Sequence, residues 1–204
     1  MPAFLRLGVA RAPCYAAIPM PSPLAHAGAA LALTLALGRP GARPPLRVVA
    51  AAAFASVAPD LDIVLAVVHP AGLDWHRGPS HSLVGAALIG AACAAAARVR
   101  GWAAWASVVG AAVAHVPFDW STGEPGAPAR YGVPWAWPFS AAKSIDATPW
   151  FGAFKIDEAG FLANMWSPRA LPVYLGELAT VAALLVAAVA MRGARAWRTR
   201  RAGS

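Results

Sequence analysis

The sequence predicts an all-α, multipass transmembrane helical bundle of about five membrane helices. Three observations carry that expectation. Of the 204 residues, 59% are hydrophobic and 13% are charged, with a mean hydropathy of +0.54, whereas soluble domains carry about 25% charged residues. The hydrophobic residues fall into five runs broken by Pro-, Gly- or Arg-rich stretches. The arginines cluster beside these runs on alternate loops, as positive-inside topology requires. An Ala-rich soluble bundle is the competing class, because Ala makes each run only moderately apolar.

Taken in order, residues 1–19 carry Arg6 and Arg11 in a broken apolar pattern without a signal-peptide cleavage pattern. They are expected to be a flexible leader or a misassigned start, since Met20 opens Met-Pro-Ser-Pro-Leu-Ala-His and the regular runs begin there. Residues 20–204 then form a single membrane-embedded domain. The first run is about Leu24–Leu37, with His26 near its start, and a Gly/Pro-rich loop holding Arg39, Arg43 and Arg47 follows. The second, Val48–Val68, contains Pro59-Asp60-Leu61-Asp62. A carboxylate at the centre of a bilayer helix costs about 2.5–3.5 kcal/mol, so two beside a proline need a reason. Next comes the polar stretch His76-Arg77-Gly78-Pro79-Ser80-His81-Ser82. Pro79 disfavours a helical Gly78, so the chain turns there, and Ser80 is placed to cap a helix starting near His81. The third run, Leu83–Ala97, ends at Arg98 and Arg100; the fourth, Trp102–Phe118, ends in His115-Val116-Pro117-Phe118-Asp119. Residues 121–168, rich in Pro, Gly and Trp, are expected to be an irregular extracytoplasmic insert. The last run, Leu171–Met191, precedes Arg192, Arg195, Arg198, Arg200 and Arg201.

Numbering the loops alternately puts the Arg-rich ones and the C-terminal tail on one side, which should be cytoplasmic. The opposite face then receives His26, Asp60 and Asp62, the pair His76 and His81, and His115 with Asp119. Singly, each has a bland reading: a helix cap for Asp60, a helix-end hydrogen bond for His115 and Asp119, a polar loop for the two histidines. Together they predict a metal site at that face. Imidazole and carboxylate without thiolate suit a divalent ion, zinc first, with manganese or iron possible, and one or two ions are expected. Cys14 and Cys93 build neither a disulfide framework nor a Cys-based zinc site.

His115 and Asp119, spaced i,i+4, share a helix face. Asp60 and Asp62 are nearly opposite on an ideal helix. Either the helix opens near Pro59 and both reach the site, or one binds metal and the other orients a histidine from behind. Arg77 is positioned to hold a phosphate in its fork or to pair with Asp74. His69 reads as a surface or interfacial histidine, and Glu177 as a buried partner for an Arg or an interface residue. Trp75, Trp120, Trp135, Trp137, Trp150 and Trp166 fall in the loops of the metal-bearing face, as an aromatic belt would.

The ordered strings MPSPLAHAGAA, APDLDIV, HRGPSHSLVG, AHVPFDWST and YGVPWAWPFS, spanning Met20 to Ser140, resemble the YdjM-like family of inner-membrane metal-dependent hydrolases. That family looks distantly similar to the zinc-dependent phospholipase C group. The resemblance implies His26, Asp60, His81, His115 and Asp119 as metal ligands, with His76 and Asp62 close by. It also implies an inner-membrane location and hydrolytic chemistry.

The functional expectation is a membrane-bound hydrolase acting on a small-molecule or lipid phosphoester through metal-activated water, with Asp62, His76 and Arg77 assisting and membrane lipids as neighbours. A non-catalytic membrane metal-binding or metal-transport protein is the alternative. The net charge of +8 does not indicate a nucleic-acid partner, because the arginines sit in short clusters beside apolar runs.

Overall fold

A computed structural model describes residues 18–68, 76–122, 132–146, 154–156 and 166–202. Among them the chain forms α1 (Pro23–Leu37), α2 (Leu46–Val57), α3 (Asp62–Val68), α4 (Leu83–Ala96), α5 (Trp102–Trp120) and α6 (Leu171–Ala202). A short antiparallel ribbon pairs β1 (Ile18–Met20) with β2 (Phe154–Ile156). The ribbon therefore ties the end of the expected leader to the expected insert; residues 1–17 lie outside the described residues.

The central helix is α5, which packs against α1, α2 and α4, while α6 lies against α1. Ala30, Ala51, Ala52, Ala55, Ala94, Val108, Ala111 and Ala112 form the buried core. Small side chains let helix backbones approach closely, which is how helices associate where lipid removes the hydrophobic drive between them. Gly90 shows the limit: a Cβ there would lie 2.7 Å from the Val109 Cα. Large apolar side chains point outward instead, such as Val186 at 70% and Leu178 at 65% exposure. Apolar outside and polar inside suits a bilayer environment.

Two helices are long and apolar enough to cross a membrane: Leu46–Leu65, which runs through α2 into α3, and α6. The expected count of five does not emerge from length. At 1.5 Å per residue, α1 and α4 reach only about 21–23 Å, against a hydrocarbon core of about 30 Å. Both begin where polar residues begin. Ser22 caps α1 through the Ala25 N–H at 3.3 Å, and Ser82 caps α4 through the Gly85 N–H at 2.9 Å. The cap expected at Ser80 thus falls two residues later, because Pro79–His81 first form a 3₁₀ turn.

The second run is one helix in two parts. A 3₁₀ turn over Ala58–Leu61, with Pro59 in its first positions, separates α2 from α3. In contrast, Pro117 sits inside α5 without ending it. The described part of the insert closes over the same end of the bundle: Val133 and Ser144 bridge at 2.8 and 3.1 Å, and Leu83 N–H donates to the Trp135 carbonyl at 3.3 Å. Tryptophan is not confined to that end. Trp102 begins α5 on the Arg-rich side, and Trp197 lies near the end of α6.

The close α4–α5 contact makes a specific demand. Gly90→Ala must push α5 aside, and overpacking of this kind costs about 1–3 kcal/mol. Gly193→Ala, where a Cβ meets nothing within 4 Å, should be neutral or stabilising, since Ala is the better helix former by about 1 kcal/mol. Thermal unfolding in detergent should therefore rank Gly90→Ala below wild type and Gly193→Ala at or above it.

Candidate metal centre

The break at Pro59 sets the phase of the two acidic residues. Asp60, in the 3₁₀ turn, reaches His81 and His115, whereas Asp62, opening α3, reaches His76 and Ser80. The helix does open at Pro59, and Asp60 and Asp62 each join a His/Asp group that could hold an ion. From α5, His115 and Asp119 arrive on one face, one helical turn apart. The 3₁₀ turn Pro79–His81 delivers His81 between them and the acidic pair.

Four atoms enclose a common point. His81 Nε2 lies 3.3 Å from Asp60 Oδ1 and 3.3 Å from Asp119 Oδ2. His115 Nε2 lies 3.4 Å from Asp60 Oδ1 and 3.6 Å from Asp119 Oδ2. A tetrahedron of ligands at zinc distances of about 2.0–2.1 Å has edges of about 3.3–3.4 Å. Three of the four observed spacings match that figure, and the fourth, His115 to Asp119, is 3.6 Å. They are long for hydrogen bonds, and His115 Nε2 and both Asp119 oxygens have no hydrogen-bond partner although fully buried. Buried polar groups normally find partners. Orphaned lone pairs converging on one point are the signature of a cation site, and these four residues form one such group.

The far sides of the rings are fixed to match. His115 Nδ1 lies 2.8 Å from the Ser56 carbonyl and so donates to it, leaving Nε2 as the lone-pair nitrogen. His81 Nδ1 faces Asp62 Oδ2 at 3.2 Å, and Ser80 Oγ donates to the same oxygen at 2.6 Å. Asp62 Oδ1 takes the His76 Nδ1 proton at 2.5 Å. Asp62, His76 and His81 form a second possible metal group. A 2.5 Å separation, however, is a hydrogen bond rather than the edge of a coordination shell. Asp62 is therefore read as the carboxylate that orients two imidazoles, a common device behind metal-binding histidines.

Arg77 is 1% exposed, and its Nε lies 3.1 Å from Asp119 Oδ2. It reaches inward because its backbone takes a left-handed φ of 58°, a conformation costing about 1–2 kcal/mol for an L-residue. The guanidinium is thus given to Asp119, and the other partner considered, Asp74, lies outside the described residues. Three carboxylates against one guanidinium leave two negative charges, which a divalent ion would match. The histidines outside the helical spans respond to the same field. Burial pushes His76 below the usual imidazole value, and Asp62 only partly offsets it. Burial also opposes charge on His81, but the carboxylates of Asp119, Asp60 and Asp62 around it outweigh this and raise it well above 6.5. Without an ion, a proton on His81 thus carries part of the balancing charge that a divalent ion would take over.

All eight expected site residues come together in this region. His26 lies beside the four-residue group: its ring stacks on His115 at 4.0 Å, and its Nε2, also without a hydrogen-bond partner, lies 3.4 Å from Asp119 Oδ1. His69, Trp75 and Trp150 lie outside the described residues. Ser80, the Ser56 carbonyl, Lys143 and Glu177 were not foreseen as parts of the site. Lys143 Nζ donates to the His76 carbonyl at 3.3 Å. Glu177 accepts from the Ser22 N–H at 2.5 Å and also from its hydroxyl, so it anchors α1 one turn before His26. An acid inside the last apolar run was the one sequence signal for Glu177.

A family model described as YdjM inner membrane protein matches residues 20–199. It starts at the same Met20 as the motif strings and extends through most of α6. Curated proteins and solved structures give no match. The distant likeness to zinc-dependent phospholipase C is not among the findings.

Removing a ligand should empty the centre. Zinc-loaded protein, purified in detergent and assayed by elemental analysis, should lose most of its metal on His115→Ala or Asp119→Asn, with affinity falling at least 10–100-fold. Asp62→Asn should weaken binding less, since Asp62 would act on an ion in this group through His81.

Proposed function

The chain belongs to the YdjM inner membrane protein family, and we propose that it is a membrane-embedded, metal-dependent hydrolase of phosphoesters. The observation that carries this reading is the gathering of Asp60, His81, His115 and Asp119, with imidazole-to-carboxylate spacings of 3.3–3.6 Å, into one buried group holding orphaned polar atoms. When bound, a zinc, manganese or iron ion supplies an acidified water, with its pKa lowered toward about 7, and a Lewis-acid contact for a phosphoryl oxygen.

The chain's own residues supply the rest. His76, kept neutral by burial and fixed by Asp62 at Nδ1, presents an Nε2 lone pair without a partner. That is the form a general base needs near neutral pH. Arg77 holds Asp119 in place and balances part of the acidic charge. Asp60, 15% exposed where the other three ligands are at 0%, is the edge by which substrate enters. Entry at the end of the bundle, near headgroup depth, suits a lipid or other amphiphilic phosphoester.

The five apolar runs are read as five crossings, with the short α1 and α4 ending at the site. The arginines of the opposite end support a cytoplasmic C-terminus and a centre at the extracytoplasmic face. A second reading has one observation in its favour: the group offers four protein ligands, enough to fill the shell of a structural zinc site, whereas catalytic sites keep a position open. Catalysis would then require five-coordination or release of Asp60. A transport conduit is less favoured, because the described core on the Arg side of the cluster is Ala and Val apart from Thr34 and Ser107, whose hydroxyls donate to carbonyls of their own helices.

His76→Asn separates these readings. It should leave bound metal nearly unchanged while lowering phosphoester hydrolysis by about 10²–10⁴-fold, the usual worth of a general base. Wild-type protein loaded with metal yet inert toward phosphomonoesters, phosphodiesters and phospholipids would favour the structural reading. For orientation, a reporter active only outside the cytoplasm should remain silent when fused after Ser204.

A further inference from the structure

The positive charge of the molecule gathers at the end away from the metal centre. Residues 27–59, 83–118 and 178–204 contain no Asp or Glu, yet they hold ten arginines. Among these arginines opens a cavity of about 380 Å³, bounded by the end of α1, the loop after it and the first turns of α2 and α5. Arg39, Arg43, Arg47 and Arg100 line it, all four exposed. Among the described residues, none of their guanidinium groups has a protein partner. The helix starts that face the cavity, Pro45 of α2 and Gly101 of α5, are both without a side-chain cap. Their uncapped N–H groups add the positive ends of two helix dipoles.

The cavity wall is built rather than loose. From α6, Arg192 donates to the carbonyls of Arg39 at 2.8 Å and of Ala42, and Arg195 to those of Gly38 at 3.1 Å and of Ala36. These bonds pin the loop against the bundle and hold the free guanidinium groups around one space. Trp102 at 79% and Leu46 at 81% exposure flank the arginines with apolar surface. Positive-inside topology accounts for arginines on this side. It does not account for a cavity, nor for two uncapped helix starts opening into it.

We propose that this cavity binds the phosphate group of an anionic phospholipid, with Trp102 and Leu46 against its acyl chains. Guanidinium forks and helix N-termini both select phosphate, and basic pockets between membrane helices recognise such headgroups. Inorganic phosphate shares the headgroup chemistry but gains nothing from the apolar rim. A zwitterionic headgroup carries its own cation and gains less from the arginines.

Delipidated full-length protein in detergent can be titrated with phosphatidylglycerol, phosphatidylcholine or inorganic phosphate while thermal unfolding is followed. Phosphatidylglycerol should bind at least tenfold more tightly than phosphatidylcholine. Arg43→Gln/Arg100→Gln should lose about 10–30-fold of that affinity. Arg198→Gln/Arg200→Gln, which removes equal charge from the tail outside the cavity, should retain it, and both double variants should keep their metal. Equal loss in the two double variants would mean diffuse surface charge and overturn the site. Equal response to phosphatidylcholine would do the same. Saturation by inorganic phosphate at the lipid's concentrations would make it a small-anion site and overturn the lipid assignment.

Discussion

Asp119 sits fully buried in an apolar bundle with neither oxygen in a hydrogen bond. An isolated buried carboxylate costs several kcal/mol, so the fold must bring compensation to it. Much of the architecture follows from that demand. Arg77 adopts a left-handed backbone to reach one oxygen, His26 flanks the other, and His81 and His115 complete the surround. The short helices α1 and α4 begin at this end of the bundle, and α5 ends there. The remaining excess of negative charge leaves room for a divalent cation.

The His/Asp cluster was legible in the sequence because ionisable residues in apolar runs are expensive, and chains keep few of them. His115 and Asp119 could be placed on one face by helical spacing alone. Asp60 and Asp62 could not be separated that way, because their roles depend on the phase change in the Ala58–Leu61 turn. Arg77 was ambiguous for a related reason: its inward direction comes from a positive φ that an Arg codon does not announce. Likewise Ser80 looks like a cap by composition, and only the 3₁₀ turn moves the cap to Ser82. The anchoring of α1 by Glu177 joins residues 155 positions apart, a separation that local patterning cannot bridge.

The molecule is chemically divided. One end holds the acidic and imidazole groups in a small, dehydrated cluster; the other holds arginines with no acid among them. Between the two lies a core of Ala and Val with closely approaching helices. Such a core fixes the separation of the ends and keeps the cluster rigid, as a site needing four ligands within a few tenths of an ångström requires. It also explains why substitutions near the centre and near the arginines should act independently, since they share no partners.

The central claim is a metal held by Asp60, His81, His115 and Asp119, and X-ray absorption at the zinc edge of zinc-loaded protein addresses it most directly. The account predicts a four- or five-coordinate shell of nitrogen and oxygen at about 2.0–2.1 Å, with imidazole scattering and no sulfur at about 2.3 Å. An oxygen-only shell without imidazole, or a shell containing sulfur, would contradict it.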